Sequence, residues 1–377
     1  PPAWPAMGLR ALPLLEPGRR PQPDKWYRLS PRGERPRGRV GHGCLFLPGG
    51  GPGRVLLLGG ADPAGAFADA HFVELGAHRW AAAGWSGLRP RYEHATCLPA
   101  GSPPRLWVFG GAHPAGNRNC VQVLDLEMGT WKSPEVRGVP PLPRTFHTSS
   151  AAIGDCLYVF GGGEKGAEPV QDQQLHVFDT ATLSWSQPDT HGDPPSPRHG
   201  HIVVAVGTKL FIHGGLAGDT FYNDLFCIDT NDMRWVKIPA TGDVPGGRAS
   251  HSSAVFKDHL YIFGGIGPAG TLDTTYKYHT ERQQWTLLQF DSPLPAGRLD
   301  HAMCIIPWQA AKSGGTSTWE DKAGDESPVL VGSNGGPLQQ GQDKGCAEGA
   351  VVHLLFVFGG MDTQGEIYRD CVVSLIE

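Results

Sequence analysis

Six times along this 377-residue chain an Arg-x-x-His cluster is followed by an apolar run that ends in a glycine pair. The clusters start at Arg39, Arg91, Arg144, Arg198, Arg248 and Arg298, at intervals of 52, 53, 54, 50 and 50 residues. Self-similarity at a period of about 50 means that one small unit is stacked on copies of itself, so the architecture follows from what that unit is.

The runs at 55–58, 106–109, 157–160, 210–213, 260–263 and 355–358 are short, continuous and rich in aromatic and branched residues. Such runs predict strands buried on both faces. The glycine pairs behind them are Gly59/Gly60, Gly110/Gly111, Gly161/Gly162, Gly214/Gly215, Gly264/Gly265 and Gly359/Gly360. A pair of residues without Cβ at the end of a buried strand marks a sharp turn in a crowded place. Small sheets arranged radially about an axis cover both faces of every sheet, and closing the circle leaves only short edges. The prediction is an all-β, six-bladed propeller.

Each of the first five repeats carries a tryptophan at a fixed offset from the first glycine of its pair: Trp80, Trp131, Trp185, Trp235 and Trp285, at 21, 21, 24, 21 and 21 residues. One indole at one place per repeat is read as packing between blades. The sixth repeat lacks it after Gly359, but Trp26 precedes Arg39 by 13 residues, the gap also found after Trp131, Trp185, Trp235 and Trp285. The segment around Trp26 is therefore expected to be the outer strand of the last blade, pairing near residues 371–376 and closing the ring.

The 53 glycines and 34 prolines fall at repeat turns. A net charge of −5 with both signs interspersed, and no Lys/Arg run, speak against a nucleic-acid footprint. Eight cysteines without a Cys-x-x-Cys pair suit free thiols of a reducing compartment. No apolar stretch reaches the length of a membrane span. Residues 1–20 are expected to be a flexible leader, with Met7 a candidate start, and 21–377 the propeller. The glycine pairs at 264 and 359 stand 95 residues apart, so blade six holds a polar insertion at about 309–349, read as a disordered surface loop.

Because every repeated arginine precedes a first strand, all six should approach one mouth of the central channel. Two readings stand side by side: a ring of guanidinium groups that grips an acidic partner, or braces that hold loop carbonyls. Histidines spread around a ring do not make a metal cluster, and no nucleophile elbow or phosphate loop is present. The expectation is no enzyme, no cofactor and no metal.

Arg-x-x-His, a strand such as Leu157-Tyr158-Val159-Phe160-Gly161-Gly162 and a later tryptophan resemble the kelch family, over residues 26–376 apart from the insertion. The stretches 144–154, 208–219 and 297–308 are similar to kelch-motif effectors of Rab GTPases. That resemblance implies a cytoplasmic protein-binding scaffold that takes a late-endosomal Rab GTPase in its GTP form. It further implies peripheral recruitment to endosome or trans-Golgi membranes and support for the return of mannose 6-phosphate receptors. The family also includes receptors of cullin ubiquitin ligases, the alternative reading, although no BTB-like helical domain accompanies the repeats. A copper oxidase is a third precedent, for which Tyr92, Tyr158 and Tyr261 lack a paired cysteine and histidine set.

Overall fold

The computed structural model describes residues 11–101, 103–145, 151–165, 168–311 and 350–376. Its strands form six four-stranded antiparallel sheets and five two-stranded ones, and no helix occurs among the described residues. Blade four shows the unit. Ile202–Val206 pairs with Lys209–His213, that strand with Leu225–Asp229, and that with Arg234–Ile238. Leu210, Phe211, Ile212 and His213 of the second strand are all buried, as its lack of alternation requires. The chain turns after it at Gly214 and Gly215, whose φ values of 71° and 103° exclude most other residues.

The tryptophans join neighbouring blades. Each indole lies against the residue that precedes the glycine pair of the previous blade: Trp185 on Phe109 at 4.9 Å, Trp235 on Phe160 at 5.1 Å, Trp285 on His213 at 5.0 Å and Trp80 on Phe358 at 5.6 Å. Trp131 shares a buried cluster with Leu58 in the same way. The sixth such contact is Trp26 on Phe263 at 5.2 Å.

That last contact depends on closure by the N-terminal strand. Trp26–Leu29 pairs antiparallel with Cys371–Leu375, with Trp26 opposite Ser374 and Leu29 opposite Cys371, and completes a sheet with Ala302–Ala310 and Ala350–Phe358. Between blades the chain runs along the outside of the blade it is about to enter. Short parallel bridges such as Arg137 to Ser184 and His191 to Arg234 tie it there, so the outer strands are covered rather than left as open edges.

Two expectations about the irregular parts need amending. Of the leader 1–20, the described residues 11–20 are held against blade six rather than loose. Leu15 is buried, its N–H donates to the Arg28 carbonyl at 3.0 Å, and the Trp308 indole donates to the Arg19 carbonyl at 2.9 Å. The apolar Leu15 and the long strand under it supply the anchor that composition did not reveal. The insertion expected at 309–349 falls on residues 312–349, which lie outside the described residues, while Gln309 and Ala310 still belong to a nine-residue strand.

Loss of the closing strand should be costly. Trp26→Ala removes a fully buried indole and is expected to cost about 3–5 kcal/mol. Deleting residues 1–29 should lower the calorimetric midpoint by at least about 5 °C, and an unchanged midpoint would show that the ring closes without this strand.

Candidate functional site

The arginine mouth is built from the backbone outward. In all six blades the second glycine of the pair donates its N–H to the carbonyl of the next blade's arginine. The bonds are Gly60 to Arg91 (2.9 Å), Gly111 to Arg144 (3.0 Å), Gly162 to Arg198 (3.0 Å), Gly215 to Arg248 (2.8 Å), Gly265 to Arg298 (2.8 Å) and, closing the ring, Gly360 to Arg39 (2.9 Å). Nearer the axis lies a second set of bonds. Gly41, Glu93, Gly200, Ser250 and Asp300, two residues after their arginines, all have φ between 52° and 68°. Their N–H groups reach the same position of the preceding blade where both residues are described, as in Glu93 to Gly41 at 2.6 Å and Asp300 to Ser250 at 3.0 Å.

The guanidinium groups turn inward. Each Nη1 donates to the carbonyl of its own blade's first glycine, at 2.9–3.2 Å, and each Nε to the carbonyl two residues before, at 3.0–3.3 Å. In four blades a carboxylate from the loop before the third strand completes the cage. Arg39 meets Asp69 at 2.6 Å, Arg144 meets Asp172 at 2.6 Å, Arg198 meets Asp224 at 2.5 Å and Arg298 meets Asp370 at 2.7 Å. Aromatic rings cover the outer side, with Tyr222 at 4.0 Å from Arg198 and Tyr368 at 4.3 Å from Arg298.

No repeated arginine is more than 2% exposed. As the ring stands, then, Arg39, Arg91, Arg144, Arg198, Arg248 and Arg298 present no free guanidinium to the mouth. What reaches solvent is the acid side of each pair, since Asp69 and Asp370 keep about two fifths of their surface. Although burial alone would raise it, hydrogen bonds from His71 and Arg39 hold the Asp69 carboxyl well below the usual carboxylate range.

Blades two and five lack the acid and show what it does. Arg91 there meets Gln122 at 2.7 Å and the Cys120 thiol at 3.4 Å, and Arg248 meets Thr274 at 3.2 Å. Burial, with no carboxylate to offset it, pulls both guanidinium pKa values down, that of Arg248 to about 10. The acids are the functional residues that the motif reading missed. They stand 10 or 11 residues after the first glycine of the pair, a recurrence broken by Cys120 and Thr274.

The histidines face the blade interfaces. His201 and His301 bond the carbonyls of Phe160 and Phe263 at 2.7 and 3.0 Å, and His251 bonds the ring of His213 at 3.0 Å. His147 lies outside the described residues. Burial first, then the neighbouring arginine, lowers the pKa of His94 and of His301 to about 3. The channel between the first strands opens as a cavity of about 350 Å³ lined by apolar residues, among them Phe46, Val204, Met303 and Ile305. Cys44 and Cys304 meet in its wall at 3.5 Å. Among the described residues no three metal-ligating side chains converge.

Residues 51–265 match the model of the KLHDC2/KLHL20/DRC7 Kelch-repeats domain, and 247–289 the Kelch motif. The chain belongs to the kelch-repeat family. It is 82% identical over 374 residues to the Rab9 effector protein with kelch motifs of Gallus gallus, covering 98% of this chain and all of that protein. Proteins of the same description from Bos taurus and Homo sapiens are 63% and 58% identical, again over 98% of this chain and their full length. In this kelch propeller the repeated arginine thus serves three partners inside its own blade and one, through its carbonyl, in the blade before.

Removing one guanidinium should therefore damage the fold. Arg198→Ala strands the Asp224 carboxylate and is expected to cost about 3–5 kcal/mol; Arg198→Lys, which lacks the planar fork, should recover less than half of that. Chemical denaturation measures both, and a loss under about 1 kcal/mol would remove the bracing role.

Acid should weaken the ring in a definite window. The buried histidines stay neutral in the folded chain, while the unfolded chain takes up protons as pH falls below about 6.5. Their contribution is complete above that pH and is lost progressively toward about 3, where His94 and His301 titrate in the fold. The thermal midpoint should fall between pH 7.5 and 5, before the carboxylates are protonated; a flat profile over that range would contradict it.

Proposed function

We propose that this kelch propeller is a non-catalytic effector that binds a late-endosomal Rab GTPase in its GTP-loaded form and supports the return of mannose 6-phosphate receptors from endosomes to the trans-Golgi network. The observation that carries the reading is the full-length identity to proteins described as Rab9 effectors, 82% in one case. The geometry supports a binding role over a chemical one. A rigid closed ring presents six sets of loops on each face, the arrangement in which variable loops recognise a protein partner.

The six arginines enter this proposal as braces and not as contacts. A degron-gripping receptor of a cullin ligase would need guanidinium groups free at the mouth, and each of these is engaged within its blade. Recruitment to membranes then follows from the GTPase, which makes the attachment of the propeller peripheral and indirect.

Capture of the purified chain on immobilised Rab9 loaded with a non-hydrolysable GTP analogue or with GDP tests the reading. The expected outcome is retention by the GTP form at least about tenfold above the GDP form, a difference of about 1.4 kcal/mol. Equal or absent retention would defeat it. Replacing Arg144, Arg198 and Arg248 together should lower the melting midpoint, while the fraction still folded keeps its affinity for the GTPase.

A further inference from the structure

Among the described residues large apolar side chains are nearly all inside, yet three of the seven exposed ones sit within seven residues: Val136, Val139 and Leu142, with Val139 and Leu142 at 71% and 69% exposure. Val139 and Leu142 belong to the connector that runs along the outside of blade three, Arg137-Gly138-Val139-Pro140-Pro141-Leu142-Pro143, which Val136 directly precedes. Three prolines in four positions fix φ near −65° and bias the residues before them toward the extended left-handed polyproline helix.

That helix has three residues per turn, so its side chains fall into three rows. Gly138, at φ 77°, turns the chain into this helix and stands outside it, so the rows run over residues 139–143 with Pro141 facing inward. A Cβ on Gly138 would collide with the Trp185 carbonyl, while Pro141 and Arg144 are buried. The other two rows, Pro140/Pro143 and Val139/Leu142, face outward, with Pro143 exposed and Pro140 half-buried; Arg137, on the far side of the Gly138 turn, is exposed too. The main chain is pinned from beneath, with the Gln187 amide donating to the Val139 carbonyl at 2.8 Å and the Asn119 amide to the Pro141 carbonyl at 3.1 Å. A proline ligand is thus displayed already ordered.

Packing does not require this chemistry. The matching connector of blade four is His191-Gly192-Asp193-Pro194-Pro195-Ser196-Pro197, held alike by Gln173 on the Pro195 carbonyl at 2.9 Å. It places Asp193 and Ser196 where blade three exposes Val139 and Leu142, and a histidine where blade three has Arg137. The fold tolerates polar residues at these positions, so the apolar pair and the arginine answer to something outside the ring.

We propose that residues 137–143 are a docking ligand for an SH3-type domain, a fold that grips Pro-x-x-Pro helices in an aromatic-lined groove beside an acidic pocket. Val139-Pro140 and Leu142-Pro143 fill the two aromatic slots, and the Arg137 guanidinium, three residues before Pro140, enters the acidic pocket. The arginine gives the chain direction along the groove, and the buried Pro141 row is the one that such a groove leaves untouched. The site lies on the flank of the ring and is independent of the GTPase reading.

The test titrates the whole chain into isotopically labelled SH3 domains that select Arg-first proline peptides, following their groove resonances. Saturable shifts with a dissociation constant in the micromolar range are expected. Val139→Asp with Leu142→Ser, the residues blade four carries, should weaken binding about tenfold or more through lost apolar burial and leave the melting midpoint unchanged. Arg137→Glu should do the same by charge reversal. No saturable shift, binding indifferent to these substitutions, binding by a peptide of residues 135–145 but not by the folded chain, or capture by a WW domain that ignores Arg137→Glu would each overturn the assignment.

Discussion

A circle of main-chain hydrogen bonds, from the second glycine of each pair to the arginine carbonyl of the next blade, is the constraint on which the rest of this molecule depends. It needs an N–H pointed sideways out of a strand end, which a backbone at φ near +90° to +117° supplies and which a Cβ at Gly162 would block against the Thr145 carbonyl. Because the bond uses only backbone, it repeats whatever the side chains around it are. Once it fixes the angle between neighbouring sheets, the tryptophan on the outer strand falls against the last apolar residue of the sheet before, and the cores between blades are closed.

The guanidinium group holds the other side of this joint. Five donors in a rigid plane reach the glycine carbonyl, the carbonyl two residues back and the acid before the third strand. A charge buried this deeply would be ruinous without partners. With them it ties three segments of one blade to a fixed point at the mouth. Blades two and five substitute neutral acceptors, so an acid is not indispensable, although Arg248 shows the cost in its lowered pKa.

Much of the fold was legible because it is written in residues that recur at a constant spacing. The glycine pairs, the tryptophans and the gap between Trp26 and Arg39 all report geometry shared by every blade, so the strand at Trp26–Leu29 could be assigned to blade six across most of the chain. The fate of the arginines was less legible, since either reading was compatible with their position. Whether a guanidinium points inward depends on Asp69, Asp172, Asp224 and Asp370, which come from loops of varying composition and lose their pattern at Cys120 and Thr274. The hold on residues 11–20 was hidden for another reason. Leu15 and Arg19 find their partners on the strand around Trp308, a contact with no local signature.

The closing sheet also orders events in time. Trp26–Leu29 leaves the ribosome before the other twenty-three strands of the blades, and its pairing partner Cys371–Leu375 leaves after all of them. Until blade five emerges the first strand carries an indole that has no groove to enter, and until the last strand follows it keeps an edge with no neighbour, the kind of exposed surface that invites wrong pairing between nascent chains. Five wedges can assemble as they emerge; the sixth must wait, so vectorial translation leaves this propeller open until its final strand is released.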